Sequence, residues 1–359
     1  MGRRPLFNFD FGLLIPVFIL VGISLVTLFS LNVNFFKTQF VYLIISVIAF
    51  LFFSQINLNF FKSYALPIYI SSVIILSLTL VIGFQSRGAV RWFDILGFKI
   101  QFSEIVKPFL LFSLATFLSK NPPDFKTFLK VICFLIPLAF LIYKQPDLGN
   151  VIIFLATTVF ILIISGFPFL WFLIGIIMSG VTVPFFWHFL HDYQKQRILS
   201  FVYPGSDPLG KSYNAIQSVI AVGSGMFFGK GFNQGTQSSL RFLPEKHTDF
   251  IFAAISENLG FIGSLAIILF FAFLLYKIYL MLGNTDDRFN KIFLTSSFCL
   301  ILVQTFINIG MNIGVLPVVG VTLPFVSSGG SSLLSNFILL GLIYAISKTL
   351  KEKGVLEIR

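Results

Sequence analysis

The segment Phe242-Leu-Pro-Glu-Lys-His-Thr-Asp-Phe-Ile-Phe-Ala253 passes within a few residues from a charged turn into apolar sequence, and it places Asp249 at the junction. The apolar run continues to about residue 280, more than the roughly 20 residues that cross a bilayer. A polar loop therefore enters a membrane-spanning helix here. A carboxylate at the edge of hydrocarbon is poorly solvated and expensive unless it has a task. One such task is structural: Thr248 or Asp249 could cap the helix by accepting from its free backbone N–H groups. The other is chemical, and the rest of the chain bears on the choice.

Composition makes lipid the solvent. Hydrophobic residues are 57% of 359, charged residues only 11%, and mean hydropathy is +0.94. An ordinary soluble domain is far from these values. The 49 Phe exceed what a core needs, and lipid accepts them on outward faces. Apolar runs of membrane length predict ten spans, near 11–31, 39–55, 64–83, 103–119, 129–143, 149–165, 168–190, 250–280, 291–313 and 332–349. The fifth is short and carries Pro137. The first follows Arg3 and Arg4 as a signal peptide would, but it is too long and lacks a small-residue cleavage site, so a retained anchor is expected.

Lys and Arg in short loops set orientation. Ten spans with the N-terminus inside put 13 of the 25 cations in the cytoplasm, from Arg3 through Arg359. Six of the remaining 12 (Lys195, Arg197, Lys211, Lys230, Arg241 and Lys246) fall in one long segment, about 191–248, and long loops count little. Both termini are thus expected in the cytoplasm, and the outer clusters of cations suggest an anionic ligand. The segment 191–248 exceeds a usual connection and reads as functional. Its stretch Tyr213–Gly223 is amphipathic and too polar to span, so a helix on, or re-entering, the outer face is expected. The formal charge of +11 suits anionic lipid head groups, whereas no basic stripe points to nucleic acid. Cys133 and Cys299 lie within predicted spans and give neither a disulfide framework nor a metal site.

Four clusters could carry chemistry. Gly223-Ser-Gly-Met-Phe-Phe-Gly-Lys-Gly231 resembles a phosphate loop but lacks its spacing and its Ser/Thr, and reads as a flexible Gly-lined bend against the membrane. Arg87-Gly-Ala-Val-Arg91-Trp92 is either a set of interface anchors or a cationic phosphate pocket. In the same cluster Glu104 and Lys107, at i and i+3, share a helix face and form either a self-neutralising pair or part of that pocket. The third, Tyr203–Ser218, is rich in Pro, Gly and Asp, which specify turns. Asn308-Ile-Gly-Met-Asn312 and the Pro- and Gly-rich run Leu316–Ser332 break the chain between spans nine and ten, and such backbone must line a cavity or be buried in protein. Glu257 lies two turns below Asp249, a functional candidate unless internally paired or protonated. No Ser/His/Asp triad or HExxH occurs, and His188, His191 and His247 are not at ligand spacing.

Together, RGAVRW, QFSEIVK, QPDLG at Gln145–Gly149, DPLGKSYNAIQS, GSGMFFGKGF, LPEKHTDFIFA and NIGMNIGVLPVVGVTLPFVSSGGSS closely resemble the SEDS family of bacterial cell-wall proteins, the RodA, FtsW and sporulation-type group. The motifs occur in order along nearly the whole chain, and Gly235-Thr-Gln-Ser238 is similar to the RodA elongation branch. Three positions depart from the family pattern: Phe102 stands for Pro, Asn258 for the second Glu of Glu-Glu-Leu-Gly, and Ser328 for the Tyr of Ser-Tyr-Gly-Gly-Ser.

The resemblance implies an all-α polytopic fold of ten spans in the bacterial cytoplasmic membrane, folded as one domain over 1–359. It also implies a glycosyltransferase that polymerises lipid II on the outer face with a class B penicillin-binding protein. The family's essential acid falls on Asp249, and its charged pair on Glu104 and Lys107. In the expected mechanism Asp249 is the general base, with Arg87, Arg91, Lys107, Arg197, Lys246 and Ser331 (and Glu104 beside Lys107) as candidates around the pyrophosphate, and a divalent cation as an open question. The rival readings are a lipid II transporter, which needs charges through the full membrane depth, and a scaffold indifferent to Asp249.

Overall fold

In the computed structural model, which describes residues 11–357 apart from 87–88, 96–97, 187, 189–191, 204, 206, 208–209, 211 and 241, the chain is a bundle of membrane-length helices. In order they are α1 (Phe11–Leu31), α2 (Val33–Phe53), the short α3 (Leu58–Ser63) and α4 (Ala65–Ile82). After a small sheet come α5 (Phe102–Lys120), α6 (Phe125–Lys144), α7 (Leu148–Ile164) and α8 (Phe169–Phe186). Three further helices, α9 (Asp192–Val202), α10 (Tyr213–Ser224) and α11 (Thr236–Ser239), precede α12 (Ile251–Gly283), α13 (Arg288–Asn312) and α14 (Gly330–Glu357). Each expected span is thus a helix. Among the described residues eight are long and apolar enough to cross a membrane, and α7 and Phe169–Met178 of α8 are shorter apolar stretches.

Local sequence starts several of these helices. Asn32, Asn57, Asp124, Asp147 and Asp287 sit at N-caps and accept from backbone N–H groups of the first turn. The bond from Thr127 N (2.7 Å) holds the Asp124 carboxyl below its ordinary range. It also fixes the start of α6, which runs on through Pro137.

One element differs from the all-helical expectation. The stretch around Arg91 forms an antiparallel meander of β1 (Phe84–Ser86), β2 (Ala89–Ile95) and β3 (Phe98–Ile100), with Gln85 opposite Val90 and Asp94 opposite Lys99. Val, Trp, Phe and Ile between Gly88 and Gly97 suit a strand bounded by turns.

Helices α5, α13 and α14 are the most enclosed, while α2, α4 and α6 show much of their surface outward, as lipid allows. Helix α8 meets the rest through its beginning, where Trp171 and Phe172 pack edge-on against Phe128. Among its described residues none beyond Phe172 is buried.

Helix α12 is two pieces. Gly260 breaks it with φ 67° and ψ −159°, a conformation that only glycine adopts without strain. The break leaves backbone groups unpaired within the helix, and the bend after α10 pairs them. Lys230 N donates to Glu257 O (2.9 Å) and Gly231 N to Asn258 O (3.0 Å), while Phe261 N and Ile262 N donate to Met226 O and Phe227 O. A Cβ on Gly229 would overlap the Asn258 carbonyl, and one on Gly225 the Ser256 carbonyl. The glycines expected to give a flexible bend instead let two backbones touch in a fixed latch. Above the break all of Ile251–Gly260 but Leu259 is buried, and the outward-facing pattern begins at Phe261. Below it, about 24 residues span roughly 36 Å, enough for the ~30 Å hydrocarbon core.

Candidate active site

Because successive spans alternate in direction, the N-termini of α5, α7, α12 and α14 and the C-terminus of α13 gather at one end of the bundle. The segment between α8 and α12 lies at the same end. All four buried acidic or basic side chains among the described residues, Glu104, Lys107, Asp147 and Glu257, belong to this end.

Asp249 sits just before α12, partly exposed. The capping expectation for Thr248 or Asp249 is not met. The N-cap residue is Phe250, which makes no side-chain cap bond, and Thr248 donates its hydroxyl to Glu245 O and Oε2 instead. The third N–H of the helix, from Ala253, goes to Asn312 Oδ1 on α13 at 3.0 Å. The main-chain carbonyl of Asp249 accepts from both Asn308 Nδ2 and Asn312 Nδ2, each at 3.0 Å. The broken segment 316–329 wraps the other side. His247 O accepts from Ser328 N (2.8 Å) and Thr248 O from Ser327 Oγ (2.7 Å), and the His247 ring stacks on Phe35 at 4.0 Å. Gly320, at φ 73°, stands beside the carboxylate, where a Cβ would lie 3.5 Å from Oδ2. The side chain absent at Gly320 keeps space next to the acid.

A second polar cluster lies behind that segment. Lys107 Nζ pairs with Glu104 Oε1 at 2.7 Å, both nearly sealed from solvent. Asn150 Nδ2 donates to Glu104 Oε1 (2.9 Å) and to Asp147 Oδ2 (2.8 Å), which also accepts from Gln101 Nε2 and Ser103 Oγ. Ser331 Oγ accepts from Gln101 N at 2.8 Å, and Ser335 Oγ donates to Glu104 O. This network ties α5, α7 and α14 together. The start of α7 also reaches the acid's neighbourhood, since a Cβ on Gly149 would press on Val319 O. Residues 319–321 thus stand between the Asp249 carboxylate and the Asp147–Asn150 turn.

Glu257 is fully buried and occupied. It accepts from Gln237 N and Ser238 N (both 2.8 Å) and faces Lys230 Nζ at 3.5 Å. It thereby holds α11 onto α12, and Leu243 N, at the start of the LPEKHTD run, donates to Gln237 O at 3.1 Å. Lys246, within that run, reaches back to Ser238 O on α11.

The cations expected around a pyrophosphate separate. Arg91, on β2, is half-buried, with its guanidinium 5.9 Å from the Trp92 ring and a buried Nε lacking a hydrogen-bond partner. Arg197, on α9, lines a cleft of about 270 Å³ whose other walls are largely apolar, including Ile216, Val219, Leu316, Pro317 and Val318. Arg87 lies outside the described residues, as does Arg241. Among the described residues no group of three or more His, Cys, Asp or Glu side chains could hold a metal ion.

Comparison with known proteins agrees with this architecture. The chain matches the cell cycle protein family FtsW/RodA/SpoVE over residues 6–352. It belongs to that family. It is 39% identical over 285 residues to the peptidoglycan glycosyltransferase MrdB of Escherichia coli K12, covering 78% of this chain and 76% of that protein. It is 34% identical over 355 residues to the probable peptidoglycan glycosyltransferase FtsW of Buchnera aphidicola, covering 94% and 92%. Among solved structures it resembles a chain from work on the structural coordination of polymerization and crosslinking by a peptidoglycan synthase complex, with TM-score 0.84, 26% identity and coverage of 96% and 98%. The Rod shape determining protein RodA of Thermus thermophilus shares the fold, with TM-score 0.72 at 23% identity over 95% of this chain and 97% of that one.

Proposed function

We propose that this membrane protein is a peptidoglycan glycosyltransferase of the elongation type, polymerising lipid II at the outer face of the bacterial cytoplasmic membrane beside a class B penicillin-binding protein. Asp249 is the general base. It takes the proton of the acceptor GlcNAc 4-hydroxyl as that oxygen attacks the donor MurNAc anomeric carbon. The anomeric C–O bond to pyrophosphate breaks with inversion, and undecaprenyl pyrophosphate leaves with the bonding pair. Arg91 and Arg197 supply positive charge where the leaving group gains negative charge. The apolar cleft at Arg197 suits the first isoprenyl units beside a phosphate. Lys107 is already neutralised by Glu104 at 2.7 Å, and acts by holding the scaffold behind the acid.

The observation that carries this reading is the relief of Asp249 from capping. Asn312 takes the α12 N–H that an N-cap side chain ordinarily takes, and Gly320 leaves room at the carboxylate. A transporter needs ionisable groups along the whole path, whereas the buried acids and bases described here gather at one end. Both termini then lie in the cytoplasm and the charged end outside.

The test is lipid II polymerisation by purified protein with its class B partner, comparing wild type with Asp249→Asn at equal folding. Glycan strands from wild type and none from the variant are expected. Full polymerisation by Asp249→Asn would refute the base assignment. If wild type made no strands but moved lipid II across vesicles, the transport reading would replace this one.

A further inference from the structure

Asn308 and Asn312 occupy successive turns of one face of α13, both fully buried. An asparagine at such a depth must satisfy every polar atom or weaken the fold. Asn312 does so across three elements. Its Oδ1 accepts from Ala253 N (3.0 Å), and its Nδ2 donates to Asp249 O (3.0 Å) and Asn308 O (2.8 Å). Its main-chain carbonyl takes the Ser218 hydroxyl of α10 at 2.9 Å. Asn308 Nδ2 bridges Asp249 O (3.0 Å) and Val321 O (2.6 Å).

Three consequences follow from this geometry. A carbonyl oxygen has two lone pairs, and both acceptor positions of Asp249 O are filled by amides from one rigid helix. The peptide plane that aims the Asp249 side chain is therefore fixed. The second amide group, Asn308, also holds Val321, so Gly320 is kept at a set distance from the carboxylate. Meanwhile the acceptor Asn312 Oδ1 fills the capping position that Asp249 or Thr248 would otherwise compete for.

We infer that Asn308 and Asn312 are positioning residues for the glycosyl transfer: they cap α12 from a neighbouring helix and clamp the Asp249 main chain, so that its carboxylate faces the acceptor hydroxyl rather than its own helix. This rests on Asp249 being the base. The two residues touch no substrate. Their contribution belongs to the catalytic step, because a displacement of about 1 Å in a reacting group can lower a rate about a hundredfold.

The experiment uses the full chain with its class B partner in detergent, measuring kcat and KM for lipid II and the melting temperature. Asn312→Asp keeps the acceptor for Ala253 N and the side-chain volume, but replaces the donor to Asp249 O by an oxygen. Asn308→Ala removes the bridge between Asp249 and Val321. Each variant is expected to lose roughly 10- to 100-fold in kcat with KM within about threefold of wild type. A structural defect alone would lower the melting temperature and the active fraction, and would leave kcat per folded molecule unchanged. Asn308→Asp, an isostere that also loses the bridging donor, replaces Asn308→Ala if that protein fails to fold, and the same loss of kcat is expected.

Wild-type kcat per folded molecule in Asn312→Asp and in either Asn308 variant would overturn the proposal. Asp249→Asn is measured in parallel. If Asp249→Asn is inactive while the asparagine variants turn over normally, only the clamp is wrong. If Asp249→Asn is itself active, the base assignment has failed first.

Discussion

Two carboxylates on one polypeptide run, Asp249 and Glu257, stand eight residues apart at the same end of the bundle and are used in opposite ways. Glu257 is sealed from solvent and accepts from two backbone N–H groups of α11 with Lys230 alongside. Both carboxylate oxygens there serve to hold the loop down. Asp249 is partly exposed; its main-chain carbonyl is held by Asn308 and Asn312, and the adjoining residue across the broken segment is a glycine. Burial and hydrogen bonding fix one acid as architecture. Partial exposure and the space at Gly320 leave the other open for chemistry. The sequence rule that an acid inside a membrane protein is functional by default does not separate them, but their partners do.

The largest expected effect tests the Asp249 side of this contrast. Asp249→Asn should abolish polymerisation, a loss of about 10³-fold or more in kcat, since removal of a general base typically costs 10²–10⁴-fold. Melting temperature should change little, because the Asp249 carbonyl keeps its two amide donors. A variant that retained a tenth of the wild-type rate would place the acid in the same structural class as Glu257.

The next tests concern carboxylates fixed by partners. Lys107→Met leaves Glu104 buried without its cation, and breaking a buried pair this way costs about 3–5 kcal/mol. Joining Glu104→Gln to Lys107→Met should recover most of that stability, measured by denaturation in detergent. If the double variant also regained full polymerisation, the pair would be scaffold alone. If it stayed stable and inactive, Lys107 would belong with the substrate. For Glu257, replacement by Ala orphans the N–H groups of Gln237 and Ser238 and should cost about 2–3 kcal/mol, given typical values for hydrogen bonds to charged groups. The readout is faster amide exchange confined to residues 235–246. Unchanged exchange there would show that the latch at Gly260 holds the loop by itself.

The contrast also shows which parts of the molecule are legible in a single sequence. The helices were, because hydrocarbon imposes a length and an apolarity that any 20-residue window reports, and α6 forms despite Pro137. The site was legible where one residue stands out against apolar surroundings, as Asp249, Glu104 and Lys107 do. Roles that depend on contact between distant segments were not. Asp147 and Asn150 lie more than 40 positions from Gln101, Ser103 and Glu104, and join them only when α5 and α7 pack. The Gly229–Gly260 latch likewise joins two stretches whose glycines, taken singly, suggest only flexibility. The short sheet was hidden because its cations outweighed the β-branched and aromatic residues Val90, Trp92, Phe93 and Ile95. Asn308 and Asn312 drew notice as polar residues in a broken region, but their target, a main-chain carbonyl, leaves no trace in sequence.

The smallest expected effect is the sharpest test of what makes Asp249 different, and it lies at Gly320. This residue has φ 73°, where a side chain costs about 1 kcal/mol of backbone strain, and its Cβ would lie 3.5 Å from Asp249 Oδ2. That separation is ordinary van der Waals contact, so Gly320→Ala should fold, with a loss of only about 1 kcal/mol in stability. The methyl group would nevertheless occupy the space where the acceptor hydroxyl must approach the carboxylate. A fall of about tenfold in kcat/KM is therefore expected, larger than the stability change explains in a protein still fully folded at the assay temperature. Gly149→Ala serves as the control on the other side of the same segment, where the added methyl would press on Val319 O, away from the acid. If Gly149→Ala lowered kcat/KM as much as Gly320→Ala, the backbone position of residues 319–321 would be what matters. If Gly320→Ala alone did so, open space beside Asp249 is what separates it from Glu257.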